Sequence, residues 1–162
     1  MNTADLCDAY GDELQYLQPL TFRDFGKRKK FEGVIATVKC HDDNSKVKEA
    51  LSEPGDGQVL VVDGAGSMGR ALLGDNLATS AIKNGWNGIL IYGCIRDSEE
   101  ISKMEIGVKA LGTIPRKTMK KNQGTRGTAV EFGDVVFNPG HYLYSDHDGV
   151  VVAKTKLVYP RL

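Results

Sequence analysis

The stretch VLVVDGAGSMGRALLGDNLATSAIKNGWNGILIYG, residues 59–93, decides the fold. It opens with Val59-Leu60-Val61-Val62-Asp63, a continuous apolar run of strand length that reads as buried on both faces. It closes with Gly88-Ile89-Leu90-Ile91-Tyr92-Gly93, a second run of the same kind. Between them, residues 70–85 place Ala71, Leu72, Leu77, Ala78, Ala81 and Ile82 near one helical face, and Gly85 is a C-terminal stop. Gly74 is costly within a helix, so it marks the helix start, with Asp75 near the first turn. Strand, helix and strand make a βαβ unit, whose crossover is right-handed almost without exception when the strands are parallel.

Working outward, residues 3–10 predict a short helix capped by Thr3, 31–40 a β-branched strand, and 43–53 a helix. Residues 97–107 predict a short helix with Asp97 at its start and Gly107 at its close. A strand follows over 107–115, then a polar loop over 117–127. Residues 128–154 read as strand, turn, strand, turn, strand, with turns marked at Gly133-Asp134, Asn138-Pro139-Gly140 and Asp146–Gly149. The class is α/β: one mixed domain over 1–162, with a central βαβ unit and a β-rich C-terminal half.

The totals bound the function. The 162 residues fit one domain with a real core, and 41% apolar against 26% charged residues argues against disorder. Lys plus Arg number 21, as do Asp plus Glu, a balance that speaks against direct nucleic-acid binding. No run approaches the roughly 20 apolar residues of a membrane helix, and the acidic N-terminus is unlike a signal peptide, so a soluble, cytoplasmic protein is expected. Cys7, Cys40 and Cys94 are odd in number and lack C-x-x-C spacing, which predicts reduced thiols without a disulfide framework or zinc site.

Gly64, Gly66 and Gly69 form a literal G-x-G-x-x-G after a strand, the setting of a dinucleotide fingerprint. Against it stand the missing further βα units, the mid-chain position, and the absence of an acid at the end of the next strand. The alternative is tight turning and close packing. More informative is the edge of the sheet. Two parallel strands open their C-terminal ends on one side, the usual ligand side. The loop leaving Asp63 and the loop holding Arg96 and Asp97 both start there, so Gly74–Leu77, Arg96 and Asp97 are expected to converge.

At these residues the chain resembles a known family. The run GDGQVLVVDGAGSMGRALLGDNLATSAIKNGWNGILIYGCIRD (55–97) is similar to the core of the family that joins the regulator of ribonuclease activity A to class II 4-hydroxy-4-methyl-2-oxoglutarate aldolases. LCDAY, TVKCHDDNSKVKEAL and PGHYLYSDHDGVVV fit as well, so the resemblance spans nearly the whole chain. It implies a swivelling-domain-like fold and a homotrimer. It also implies divalent-metal-dependent cleavage of a 2-oxo acid to pyruvate, with oxaloacetate decarboxylation as a related activity. By position, Gly74, Asp75, Asn76 and Leu77 would form the substrate loop, Arg96 would bind substrate and Asp97 a metal, Mg²⁺ or Mn²⁺. In the regulator branch the acid after the arginine need not be kept; its presence here leans toward the aldolase, with a ribonuclease as the partner in the alternative. One departure is His141, in PGH where PGD is expected.

The chemistry asks for these residue types. Breaking a bond beta to a ketone leaves an enolate whose charge must be stabilised as it forms. A divalent cation does so as a Lewis acid, and Mg²⁺ often takes only one or two carboxylates. A guanidinium grips a carboxylate well. Asp75 is the candidate for holding a water or a substrate group; the alternative is a helix N-terminal carboxylate that stabilises the dipole. His41, His141 and His147 lack ligand spacing and read as surface or turn residues. The basic runs 27–30 and 117–126 read as solvated faces, and Trp86 as packing at a helix end.

Overall fold

A computed structural model describes residues 2–158, so the domain read over 1–162 extends past them at both ends. The first half contains α1 (Thr3–Tyr10), β1 (Gln15–Tyr16), β2 (Arg23–Asp24), β3 (Phe31–Lys39), α2 (Ser45–Leu51), β4 (Val59–Asp63), β5 (Ala71–Leu73) and α3 (Asp75–Lys83). The second contains β6 (Gly88–Ile95), α4 (Ser98–Ile101), β7 (Gly107–Thr113), β8 (Thr125–Arg126), β9 (Val130–Phe132), β10 (Val135–Phe137), β11 (Tyr142–Asp146) and β12 (Gly149–Ala153). Strands β3, β4, β6 and β7 are parallel neighbours. Antiparallel β11, β12 and β1 extend the sheet beyond β3, and β2 closes the β7 edge. No described helix is long and apolar enough to cross a membrane.

The two apolar runs are buried on both faces because both faces are covered. Leu60, Val62, Ile89 and Ile91 pack with Val47, Leu51, Ala78 and Ala81 under the helices. Val59, Val61 and Leu90, one residue out of phase, pack with Phe132, Val135 and Phe137 of the β9–β10 hairpin. Trp86 is packing, as expected: it is buried, its Nε1 donates to Glu53 O at 3.2 Å, and a Cβ on Gly55 would lie 2.6 Å from its ring.

Several boundaries differ from expectation. The stretch 70–85 is not one helix: Ala71–Leu73 is β5, paired in parallel with the end of β6, and α3 begins only at Asp75. Leu72 and Leu73 are buried as strand residues, while Ile82 on α3 is 38% exposed. Strand pairing with both β5 and β7 also carries β6 on to Ile95. The helix after Asp97 is a single turn, and Gly107 starts β7 instead of closing that helix. Asn2 caps α1, accepting from Asp5 N, while Thr3 donates through N and Oγ1 to the buried Asp146. Residues 128–154 hold four strands.

The polar loop after β7 is a strap tied down along its length. Ala71 N donates to Arg116 O at 2.7 Å, and Thr118 Oγ1 donates to Asn44 Oδ1 at 2.7 Å. Asp43, buried at 3% exposure, accepts from Ser45 N and Oγ on one oxygen and from Lys121 N and Gln123 N on the other. Burial alone would raise the Asp43 carboxyl, but these hydrogen bonds outweigh it and hold the pKa at about 2. Because the folded value lies below the unfolded one, this stabilisation is present above about pH 4 and is lost as pH falls toward 2. Asp43→Asn would set an amide nitrogen against N–H donors. It is expected to destabilise by about 1.5–3 kcal/mol at pH 7. Denaturant melts should show that difference shrinking below pH 4.

Candidate active site

Strand β6 ends at Ile95, and Arg96 N donates to Leu73 O at 2.9 Å, tying the exit of β6 to the exit of β5. Asp97 then takes a left-handed conformation (φ 56°, ψ 39°), which Asp tolerates better than most residues. The turn sends its side chain to a different helix from the one it precedes. It makes no cap to α4; instead its Oδ2 accepts from Asp75 N at 3.0 Å, at the N-terminus of α3. There the unpaired N–H groups and the helix dipole favour a carboxylate. Gly74 makes the approach possible. Its backbone is extended (φ −130°, ψ −170°), so it is the missing side chain that matters: a Cβ would sit 2.8 Å from Asp97 Oδ2 and 3.4 Å from Arg96 Nε.

These groups open on a cleft of about 190 Å³. Gly74, Asp75, Asn76, Leu77, Arg96 and Asp97, all singled out in the sequence, line it together. Arg96 reaches across to Pro115 O through Nη1 at 3.4 Å. The Asp75 carboxylate receives no hydrogen bond from a described residue; its N–H is engaged by Asp97, which leaves the Asn76 and Leu77 amides as first-turn donors. The sequence reading missed the rest of the lining: Asn44, Lys48, Ala71, Lys117, Thr118 and Lys120. The basic character of 117–126 was visible, but it read as a solvated face, and nothing in the spacing linked it to Arg96. The cleft thus sets four cations, Lys48, Arg96, Lys117 and Lys120, against two carboxylates, Asp75 and Asp97.

Other sequence candidates lie elsewhere. The glycine loop feeds β5, not a helix, so the dinucleotide context fails. A Cβ at Gly64 would meet Tyr92 O at 2.7 Å, and one at Gly66 (φ 69°) would meet the Tyr92 ring at 2.9 Å; these glycines serve turning and close packing. Cys40 and Cys94 are buried free thiols, and Cys7 is an exposed one. Burial pushes Cys94 up, and it pushes Cys40 to about 12 with help from Asp43, Asp63 and Asp42, the reverse of what a nucleophilic thiol needs. His41 and His147 are exposed and His141 is half-buried in the turn before β11; none lines the cleft.

Comparison with known proteins gives the family. A family model described as RraA-like, Aldolase/RraA, matches residues 3–152. A relative from Alkalilimnicola ehrlichii, named "Putative 4-hydroxy-4-methyl-2-oxoglutarate aldolase", is 54% identical over 156 residues, covering 96% of each chain. A Pseudomonas fluorescens (strain SBW25) relative of the same name is 52% identical, covering 98% of this chain and 96% of its own. The crystal structure of an S-adenosylmethionine: 2-dimethylmenaquinone methyltransferase from Geobacillus kaustophilus superposes with a TM-score of 0.95 at 51% identity, covering all of both chains. The RNA-processing inhibitor RraA from Thermus thermophilis superposes at 0.94 with 38% identity, covering 99% of this chain and 97% of that one. This chain belongs to the RraA-like, Aldolase/RraA family.

Proposed function

We propose that this protein is a divalent-metal-dependent class II aldolase that cleaves 4-hydroxy-4-methyl-2-oxoglutarate-type acids to pyruvate, with oxaloacetate decarboxylation as a related activity, working as a homotrimer. One observation carries the reading: Arg96, Asp97 and the N-terminus of α3 share one polar cleft. The names of the relatives support it.

Cleavage breaks the C3–C4 bond. Its electron pair moves into a C2–C3 enolate, the C4 hydroxyl loses its proton and becomes a carbonyl, and protonation at C3 gives pyruvate. Arg96 grips the carboxylate beside the ketone and faces the developing enolate charge, helped by the Asn76 and Leu77 amides. Asp75 takes the hydroxyl proton through a held water. Asp97 suits a hard cation: one oxygen accepts the Asp75 N–H, and no described residue donates to the other. Among the described residues no three His, Cys, Asp or Glu side chains group to hold an ion, so Mg²⁺ or Mn²⁺ would rest on Asp97 with water and substrate oxygens. Bound there, it supplies Lewis acidity to the 2-oxo group.

A methyltransferase would need room for a cationic sulfonium nucleoside and an apolar quinol, and a small polar cleft with four cations suits neither. The likeness to the Thermus inhibitor does favour a second reading, in which the chain binds a ribonuclease and lowers its activity.

With Mg²⁺ or Mn²⁺, pyruvate should appear from 4-hydroxy-4-methyl-2-oxoglutarate in a coupled assay. Asp97→Ala should abolish it, and Arg96→Ala should lower kcat by about 10²–10³. Gly74→Ala, which displaces the Asp97 carboxylate, should leave the fold intact and turnover low. Normal turnover in Asp97→Ala, or in excess chelator, refutes the aldolase. The second reading expects ribonuclease activity to fall on stoichiometric addition, equally with Asp97→Ala; absence of any complex removes it. Sedimentation tests the trimer.

A further inference from the structure

We propose that Lys109 and Asp24, at the buried end of a second cavity, bind the lactam edge of a small planar heterocycle.

Lys109 stands apart from its strand neighbours. Val108 and Ala110 lie in the core under the helices, so Lys109 points to the opposite face of β7, the face that Leu90, paired beside it, takes on β6. It is 4% exposed. Burying a cation is costly unless it is paired and hydrogen-bonded, and here the pairing is incomplete. Asp146 O accepts from Nζ at 2.6 Å. Asp24, directly opposite on β2, holds Oδ1 at 3.7 Å, within ion-pair range but too long for a hydrogen bond. That oxygen is buried and accepts from no described residue. Burial pushes the Lys109 ammonium down, against the pull of Asp24, Asp146 and Asp148. In either protonation state the amine keeps an N–H beyond the one given to Asp146. A donor and an acceptor thus stand 3.7 Å apart with hydrogen-bonding capacity unused.

Both residues line a cavity of about 260 Å³. It lies between the connection from β1 to β2 and the turn from β11 to β12, and it shares no residue with the Arg96 cleft. Leu17, Pro19, Phe22 and Val150 give it apolar walls, and the exposed His147 and Asp148 stand at its mouth. Its volume is several times the roughly 30 Å³ share of one water, so a single bridging water does not account for it. It is smaller than the roughly 300–1,000 Å³ of pockets for drug-sized ligands, which limits the occupant to a small ring.

The two polar groups select the chemistry. A carboxylate would accept from Lys109 but be repelled by Asp24 and Asp148. An amine or a metal ion would suit the acids but oppose Lys109. A neutral group that accepts on one atom and donates from the next satisfies both, and the C(=O)–N–H edge of a lactam does this. A hydroxyl does so from one atom but brings no flat face to the apolar walls. The donor is also held in place in advance. The Asp146 carboxylate accepts from Thr3 N and Oγ1 at 2.7 Å and from Asp148 N at 2.9 Å, which fixes the residue whose carbonyl holds Nζ.

The test is saturation-transfer NMR on the full-length protein with two probes of one size. 2-Pyridone carries the lactam edge; 2-pyranone replaces its N–H with a ring oxygen. 2-Pyridone should receive saturation from the protein, and 2-pyranone should bind at least about tenfold more weakly. Asp24→Ala and Lys109→Met should each weaken 2-pyridone by about tenfold or more. The two-probe comparison uses the unmodified protein, so it decides the matter even where a variant at these buried positions fails to fold. No binding of 2-pyridone, equal binding of the two probes, or unchanged affinity in a folded Asp24→Ala protein overturns the proposal.

Discussion

The parallel register of β4 on β6, Val59 opposite Gly88 through Asp63 opposite Tyr92, is the constraint on which the cleft depends. It brings both strands to the same edge of the sheet. The chain leaving β4 does not go directly into a helix. It first lays down β5 against the last residues of β6, Ala71 beside Cys94 and Leu73 beside Ile95. That short strand places Gly74 against Arg96 and Asp97 and aims the first turn of α3 at the space beyond them.

At that meeting point a local conformational cost is set against an electrostatic gain. A left-handed residue is disfavoured by roughly 1–2 kcal/mol, less for Asp. A carboxylate bonded to a helix N-terminal amide at the surface contributes about 0.3–1 kcal/mol. The side chain of Asp97 is thereby fixed without a partner from its own helix. A Cβ at position 74 would remove the contact, so glycine at 74, aspartate at 97 and the start of α3 stand or fall together.

The other side of the cleft is built by different means. No strand pairing extends through Lys117–Lys121 apart from a single bridge to Ala71. Buried polar side chains do the positioning: Asn44 and Asp43, at the entrance to α2, bind the strap through Thr118 and the amides of Lys121 and Gln123. Such bonds have little competition from water once buried, so they give a loop the fixed geometry that a sheet gives a strand.

The sequence by itself determined the parts that follow from local pattern. Continuous apolar runs at 59–63 and 88–93 are readable as doubly buried strands because both faces must be apolar there. Convergence of Gly74–Leu77 with Arg96 and Asp97 follows from two parallel strands ending on one edge. The glycine motif misled only as far as a dinucleotide reading could be weighed, since the turn before β5 has the same composition as a phosphate loop. Tertiary structure alone decided three things. Ala71–Leu73 is strand because the exposed edge of β6 offers it hydrogen bonds, which overrides a helical spacing of apolar residues. Asp97 serves α3 and not α4, because a left-handed turn redirects its side chain. The lysines of the strap belong to the cleft because Asp43 and Asn44, more than 70 residues earlier, bind that loop. Contacts over such a separation leave no periodic trace in a single chain; they arise only when the folded backbone brings a buried carboxylate to amides that have no other partner.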